Sequence, residues 1–162
     1  ILMVGEGEGR NAFYATKLGW QVDAIDSSSM AKEKALKLAK QNNVTLNYRI
    51  DDFFSYTIHQ EEYDAIGIIF VHTHETESEL FYNKCVDALR KEGKIILELF
   101  SHNQLGKSSG GPQEVAMLSS VRQIQQYFSK FKHELLQEEN IVLSEGEFHQ
   151  GEASVIRFVG VK

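Results

Sequence analysis

A mostly parallel α/β sheet with helices on both faces, closed by an antiparallel hairpin, is what this sequence predicts, and three features predict it. Short apolar runs alternate with helical patterns along most of the chain, the arrangement that builds parallel strands joined by crossover helices. The first apolar run, ILMV, enters a loop with glycine at alternate positions, Gly5, Gly7 and Gly9. The last two apolar segments, near 133 to 143 and 153 to 161, are separated by a Gly-containing turn and no helix, which reads as a hairpin.

The elements follow in order. Strands are expected at 1 to 4, 21 to 26, 44 to 50, 64 to 70 and 94 to 100. A helix over about Asn11 to Leu18 stops at Gly19, a residue suited to the left-handed C-terminal turn. A second follows the serines 27 to 29 and carries Met30, Ala31, Ala35, Leu38 and Ala39 at helical spacing up to Asn42 and Asn43. Later helices are expected from about Thr76 to Arg90 and from about Ser119 to Phe131, the latter burying Val121, Ile124, Tyr127, Phe128 and Phe131. Ser101 to Pro112, rich in Gly, Ser and Asn, reads as a mobile loop over the strand ends, either a lid or a connector.

A chain of 162 residues fits one domain, 1 to 162, and buries roughly two thirds of its unfolded surface, enough for a core without metals or disulfides. Its single cysteine, Cys85, lies in a helical apolar pattern and reads as a packed thiol. No 18-residue apolar run and no signal peptide occur, which points to a cytoplasmic protein that does not enter a membrane. The chain opens on a core strand without an initiator Met, so a preceding N-terminal segment is expected. A net charge of −6 argues against nucleic acid and favours a small-molecule partner.

The glycine loop marks a nucleotide pocket, because bare main chain lets a ligand approach closely beside the free N–H groups of the next helix. Asp26 closes the second apolar run 21 positions after Gly5, the distance at which a carboxylate reaches ribose hydroxyls. It has a bland alternative as a turn that caps the helix after it. The spacing is G-x-G-x-G, with Arg10 after Gly9, so the dinucleotide fingerprint G-x-G-x-x-G fails, and no Walker pattern occurs. Glu6 and Glu8 repel a pyrophosphate but attract a sulfonium or ammonium. S-adenosylmethionine carries both cations and no phosphate.

On these residues the chain resembles the class I S-adenosylmethionine-dependent methyltransferases, a Rossmann-like, doubly wound family, over essentially its whole length. The glycine loop resembles their first motif, Asp26 the acid after the second strand, Asp51 the adenine-side acid after the third, and Tyr63 to Ile66 the start of the fourth. LRKEGKIILE, residues 89 to 98, resembles the turn into the fifth strand. EGEGRN at 6 to 11, GGP at 110 to 112 and FHQGEASV at 148 to 155 are similar to a bacterial branch related to the tellurite-resistance and thiopurine methyltransferases. Met3 departs from the family where many members have an acid, which moves cation-binding duty onto Glu6, and Glu92 replaces the usual proline. The resemblance places Gly5, Gly7 and Gly9 against the methionine part, Asp26 on the ribose, and Asp51 with Phe53 on the adenine. The sole proline, Pro112, rules out the proline-containing motifs of DNA methyltransferases after the fourth strand, where Phe70, Val71, His72 and Thr73 stand instead.

His72 is the expected acceptor-side group and His149 a second candidate, although Gln150 stands where tellurite-resistance relatives carry arginine. His72 and His74 form an H-x-H pair with no third ligand at zinc-like spacing, so no metal is expected. A protonated acceptor requires a base, for which His72 or His149 would serve; an anionic one would be positioned by Arg157 or Lys107. Two rival functions stay open: a noncatalytic S-adenosylmethionine-binding module, and a nicotinamide dinucleotide enzyme, disfavoured by Arg10 and the two glutamates.

Overall fold

The structure is a computed structural model that describes residues 1–144 and 149–162. A single seven-stranded sheet holds β1 (Leu2–Val4), β2 (Asp23–Asp26), β3 (Asn47–Ile50), β4 (Tyr63–Ile69), β5 (Leu89–Phe100), β6 (Lys132–Ser144) and β7 (Gln150–Val161) in the order β3-β2-β1-β4-β5-β7-β6. The first five strands are mutually parallel and β7 runs antiparallel to both β5 and β6. The doubly wound sheet with a terminal hairpin is thus the fold expected, with its crossover reversal between β1 and β4. The turn expected between the hairpin strands falls on residues 145 to 148, outside the described residues.

Helices α1 (Arg10–Lys17) and α2 (Ser29–Gln41) cover one face and α3 (Glu75–Ala88) and α4 (Val121–Tyr127) the other. Each start has a local cause: Ser28 accepts from Ala31 N at 3.1 Å, and Ser120 and Gln123 form a reciprocal capping box. Leu2, Val4, Ile66, Ile68, Ile95 and Leu97 are almost wholly buried on the α3 and α4 face and Met3 and Ala24 on the α1 and α2 face, as strands covered on both faces require. Met3 fills the space over Gly67, where an added Cβ would stand 2.5 Å from its sulfur. The residue in the family's acidic position is therefore a core side chain. Cys85 is fully buried, which raises its thiol pKa and makes it inert. Among the described residues no helix is long and apolar enough to cross a membrane.

Three expectations change. The helix before β5 ends at Ala88 and the chain enters the sheet at Leu89, with Glu92 at φ 64° where the register between β4 and β5 shifts. Phe128 and Phe131 lie beyond the end of α4, yet both are buried. The segment from Ser101 is pinned to the sheet at three buried residues and reads as a connector. Gln104 and Ser109 are wholly buried there, and Gln104 binds Ser109 Oγ, Gly110 O and the Ser154 N–H at 2.9 Å each. Polar composition predicts mobility only while the polar groups face water.

Candidate active site

The carboxyl ends of β1, β2 and β4, with the turn after β3, enclose a cleft of about 170 Å³. Gly5, Asp26, Asp51, Phe53 and His72 all line it, although they come from four separate segments. A larger cleft of about 450 Å³ opens at the opposite end of the sheet beside Trp20, Asp23 and Arg90. Ligands of doubly wound sheets bind at the carboxyl ends beside the crossover reversal, so the smaller cleft is the candidate site.

The glycine loop divides into parts with different duties. A Cβ on Gly5 would stand 2.6 Å from Val71 Cγ2, and one on Gly9 would stand 2.6 Å from Ala35 Cβ, whereas one on Gly7 would meet open space. Gly9 therefore lets α1 approach α2 and does not line the cleft. Gly7 is clamped from both sides: its N–H donates to Asp26 Oδ2 at 2.9 Å and its carbonyl accepts from the Tyr48 hydroxyl at 2.6 Å. Sequence reasoning misses Tyr48, the one buried residue of β3, because nothing in its local pattern points to Gly7.

Glu6 departs from its expected role. Its side chain is only 8% exposed and turns under the loop, where Oε1 accepts the Ala12 N–H at 2.7 Å. It thus caps α1 in place of Gly9, which has no side chain, and it is not among the residues lining the cleft. Burial raises its pKa to about 7 against the lowering effect of the Ala12 and Asn11 N–H groups. Glu8 lies outside and pairs with Lys34.

Asp26 is both a turn former and a cleft residue. Oδ1 accepts from Ser28 N at 2.8 Å while Oδ2 holds Gly7, so each oxygen keeps a lone pair for a further donor. Beyond β3, Asp52 Oδ1 accepts from Phe54 N at 2.7 Å and shapes the turn, and among the described residues Asp51 Oδ1 accepts only from Asp52 N at 2.9 Å. The adjacent pair therefore has distinct duties. Phe53 packs on Phe81 with ring centres 4.9 Å apart.

Phe70 leaves β4 with φ 54°, a left-handed conformation costly for a bulky residue and common at functional sites. This turn seats Val71 over Gly5 and directs His72 to the cleft. His72 Nδ1 lies 3.1 Å from Met117 O, and because a carbonyl can only accept, Nδ1 carries the proton. Nε2 is then an acceptor, buried and without a partner among the described residues. Burial lowers the ring's pKa to about 4, opposed by the Met117 hydrogen bond. The ring stacks on Phe100 at 5.5 Å and 9°.

His149 stacks on Phe70 at 5.5 Å and 16°, in the same ring cluster but not among the residues lining the cleft. His74 diverges from His72, accepting from Thr76 N at the start of α3 and lying 3.7 Å from Glu114. The two cations expected to position an anion lie elsewhere: Arg157 is held between Glu98 at 2.7 Å and Glu139 at 2.6 Å, and Lys107 lies 4.0 Å from Glu152.

This cleft suits a ligand with hydroxyls and positive charge. Asp26 and Asp51 offer carboxylate acceptors, Val4, Ile25 and Phe53 offer apolar walls, and Gly5 brings main chain close. No curated protein sequence matches the chain. The fold is similar to an S-adenosylmethionine-dependent methyltransferase from Methanosarcina mazei, with TM-score 0.79 and 14% identity, covering 99% of this chain and 91% of the other. It is similar to TehB from Haemophilus influenzae, with TM-score 0.80 and 14% identity, over 99% of this chain and 57% of TehB. It is also similar to phosphoethanolamine N-methyltransferase 2 from Haemonchus contortus, solved with phosphomonomethylethanolamine and S-adenosylhomocysteine, with TM-score 0.74 and 16% identity, over 99% of this chain and 48% of the other. At such identities the likeness is one of fold. The methyltransferase-domain family matches residues 1–93, the stretch that carries the glycine loop, Asp26, Asp51 and His72, so the chain belongs to that family and is an S-adenosylmethionine-dependent methyltransferase.

Proposed function

We propose that this protein transfers the methyl group of S-adenosylmethionine to a small-molecule acceptor in the cleft at the carboxyl ends of β1, β2 and β4. The observation that carries this reading is the convergence of Gly5, Asp26, Asp51, Phe53 and His72, far apart in sequence, on one cleft beside the reversal of strand order. The cofactor supplies an electrophilic methyl on a sulfonium. Asp26 accepts from ribose hydroxyls, Asp51 from the adenine amine, and Phe53 offers an apolar wall. Holding donor and acceptor in attack geometry while excluding water supplies roughly 7 to 11 kcal/mol of barrier reduction, so little covalent assistance is needed.

His72 is the group on the acceptor side. His149 acts on it indirectly, through the Phe70 and Phe100 rings. Glu6, Gly7 and Gly9 serve the cofactor by holding the loop in shape. The net charge of −6 supports a small-molecule acceptor over nucleic acid. The EGEGRN loop and the fold likeness to TehB support membership of the branch related to the tellurite-resistance methyltransferases.

Calorimetric titration with S-adenosylhomocysteine tests the pocket. Micromolar binding is expected, with a loss of about tenfold or more in Asp26→Ala and no comparable affinity for NADH. Absence of binding, or equal binding by the variant, would overturn the reading.

A further inference from the structure

One side of the cleft is made by a single short turn, and a residue outside the cleft holds that turn in place. Asp51, Asp52, Phe53 and Phe54 all line the cleft, whereas Lys84 of α3, 31 positions beyond Phe53, does not. Its Nζ donates to the carbonyl of Phe53 and, at 2.9 Å, to that of Phe54. Among the described residues neither carbonyl has another donor. The same ammonium lies 5.1 Å from the centre of the Phe53 ring, on which Phe81 also packs at 4.9 Å. Lys84 therefore fixes the main chain and the ring of one residue together.

The N–H groups of the turn are satisfied by other means. Asp51 N donates to Asp26 O at 3.1 Å, and Asp52 Oδ1 accepts from Phe54 N at 2.7 Å. The two carbonyls depend on α3. Partial burial lowers the Lys84 pKa, against the raising effect of Asp52 and Asp51, so its charge also faces the two acids of the turn. Hydrogen bonds from an ionised donor are roughly twice as strong as neutral ones, which suits one side chain to ordering a segment that belongs to no helix or strand. Without that donor the carbonyls turn to water, and Asp51 loses the fixed position from which a carboxylate tells an amine from a carbonyl.

We propose that Lys84 is a positioning residue for the cofactor: by tying the Phe53 and Phe54 carbonyls to α3, it fixes Asp51 and Phe53 where they select adenine. This rests on the methyl-transfer reading above, with Asp51 on the adenine amine, and deepens it. Lys84 touches no part of the ligand and acts through the turn.

The test uses the full chain and reads binding alone, so it needs no methyl acceptor. Calorimetry compares three ligands: S-adenosylhomocysteine, S-inosylhomocysteine, which carries a carbonyl in place of the adenine amine, and 5′-methylthioadenosine, which lacks the amino-acid part. The proteins are the parent, Lys84→Met, Lys84→Arg and Lys94→Met. Lys94, paired with Glu134, removes the same charge away from the cleft. The parent should prefer S-adenosylhomocysteine over S-inosylhomocysteine by about tenfold or more. Lys84→Met should weaken S-adenosylhomocysteine and 5′-methylthioadenosine by the same factor, about tenfold, and cut the base preference to about threefold or less. Lys84→Arg, whose guanidinium still donates to two carbonyls, should recover much of both losses, and Lys94→Met should show neither. Circular dichroism melts establish that each variant is folded at the titration temperature, and Lys84→Ala carries the same comparison if the Met variant is not. The proposal is overturned if loss of Lys84 leaves binding as in the parent, or weakens it while the base preference stays, as a merely structural lysine would. A parent protein indifferent to the base overturns it together with the assignment of Asp51. Failure of the parent to bind S-adenosylhomocysteine strikes the methyl-transfer reading itself.

Discussion

Two polar clusters flank Phe100, and they differ in how completely their groups are paired. Around Gln104 the hydrogen bonds close on themselves: its amide meets Ser109, Gly110 and Ser154, Ser109 donates to Glu152 O at 2.6 Å, and Ser154 Oγ joins Ser101 and Glu138. Around the cleft, among the described residues, Asp26 and Asp51 keep unused lone pairs and the buried His72 Nε2 has no partner. Closed networks make structure rigid, whereas leftover hydrogen-bonding capacity marks where a ligand completes the set.

Substitutions that separate stability from binding sharpen this contrast. The largest effect is expected for Gln104→Ala, which orphans Gly110 O and the buried Ser154 N–H and leaves a void, at about 4 kcal/mol of unfolding free energy by urea denaturation. Its affinity for S-adenosylhomocysteine should stay within about twofold, and a tenfold loss would break the division between the two clusters.

Glu6 comes next because its pKa rises from 4.5 to about 7 on folding. Between those values the folded state binds more protons than the unfolded one, so stability is full at low pH and falls as pH rises through the interval, by roughly 3 kcal/mol in all. Because burial lowers the His72 pKa from 6.5 to about 4, that ring contributes an opposite slope over much of the same window, so the Glu6 contribution is read as the difference between the unfolding curves of the parent protein and Glu6→Gln, with stability rising more steeply with pH in the variant. An unchanged slope would place the titration elsewhere.

The smallest effect is expected for Tyr48→Phe, which removes the hydroxyl from Gly7 O for about 1 kcal/mol of stability. Because Gly7 also holds Asp26, S-adenosylhomocysteine affinity should fall about threefold by calorimetry. Unaltered binding would make the clamp on Gly7 purely structural.

The difference between the clusters also explains what the sequence reveals. The glycine loop, Asp26 and the order of strands and helices are legible because each depends on residues within one short segment. The separate duties of Gly7 and Gly9 are not, since they depend on Ala35 of the next helix. Glu6 turning inward depends on where the first N–H groups of α1 come to lie. The fixed loop after Ser101 escapes a local reading because Gln104 finds its partner 50 positions away at Ser154. The left-handed turn at Phe70 has no compositional signal, since phenylalanine is a poor residue for it.

The strand order leaves β6 at the rim of the sheet, 13 residues long. An open rim of that length is a template onto which another chain's strand can add. Here it carries Lys132, Glu134, Glu138 and Glu139, and an antiparallel pairing of two copies centred near residue 138 would set glutamate against glutamate. The acidic charge of the chain thus acts locally as a guard against fibre-like stacking of the protein on itself.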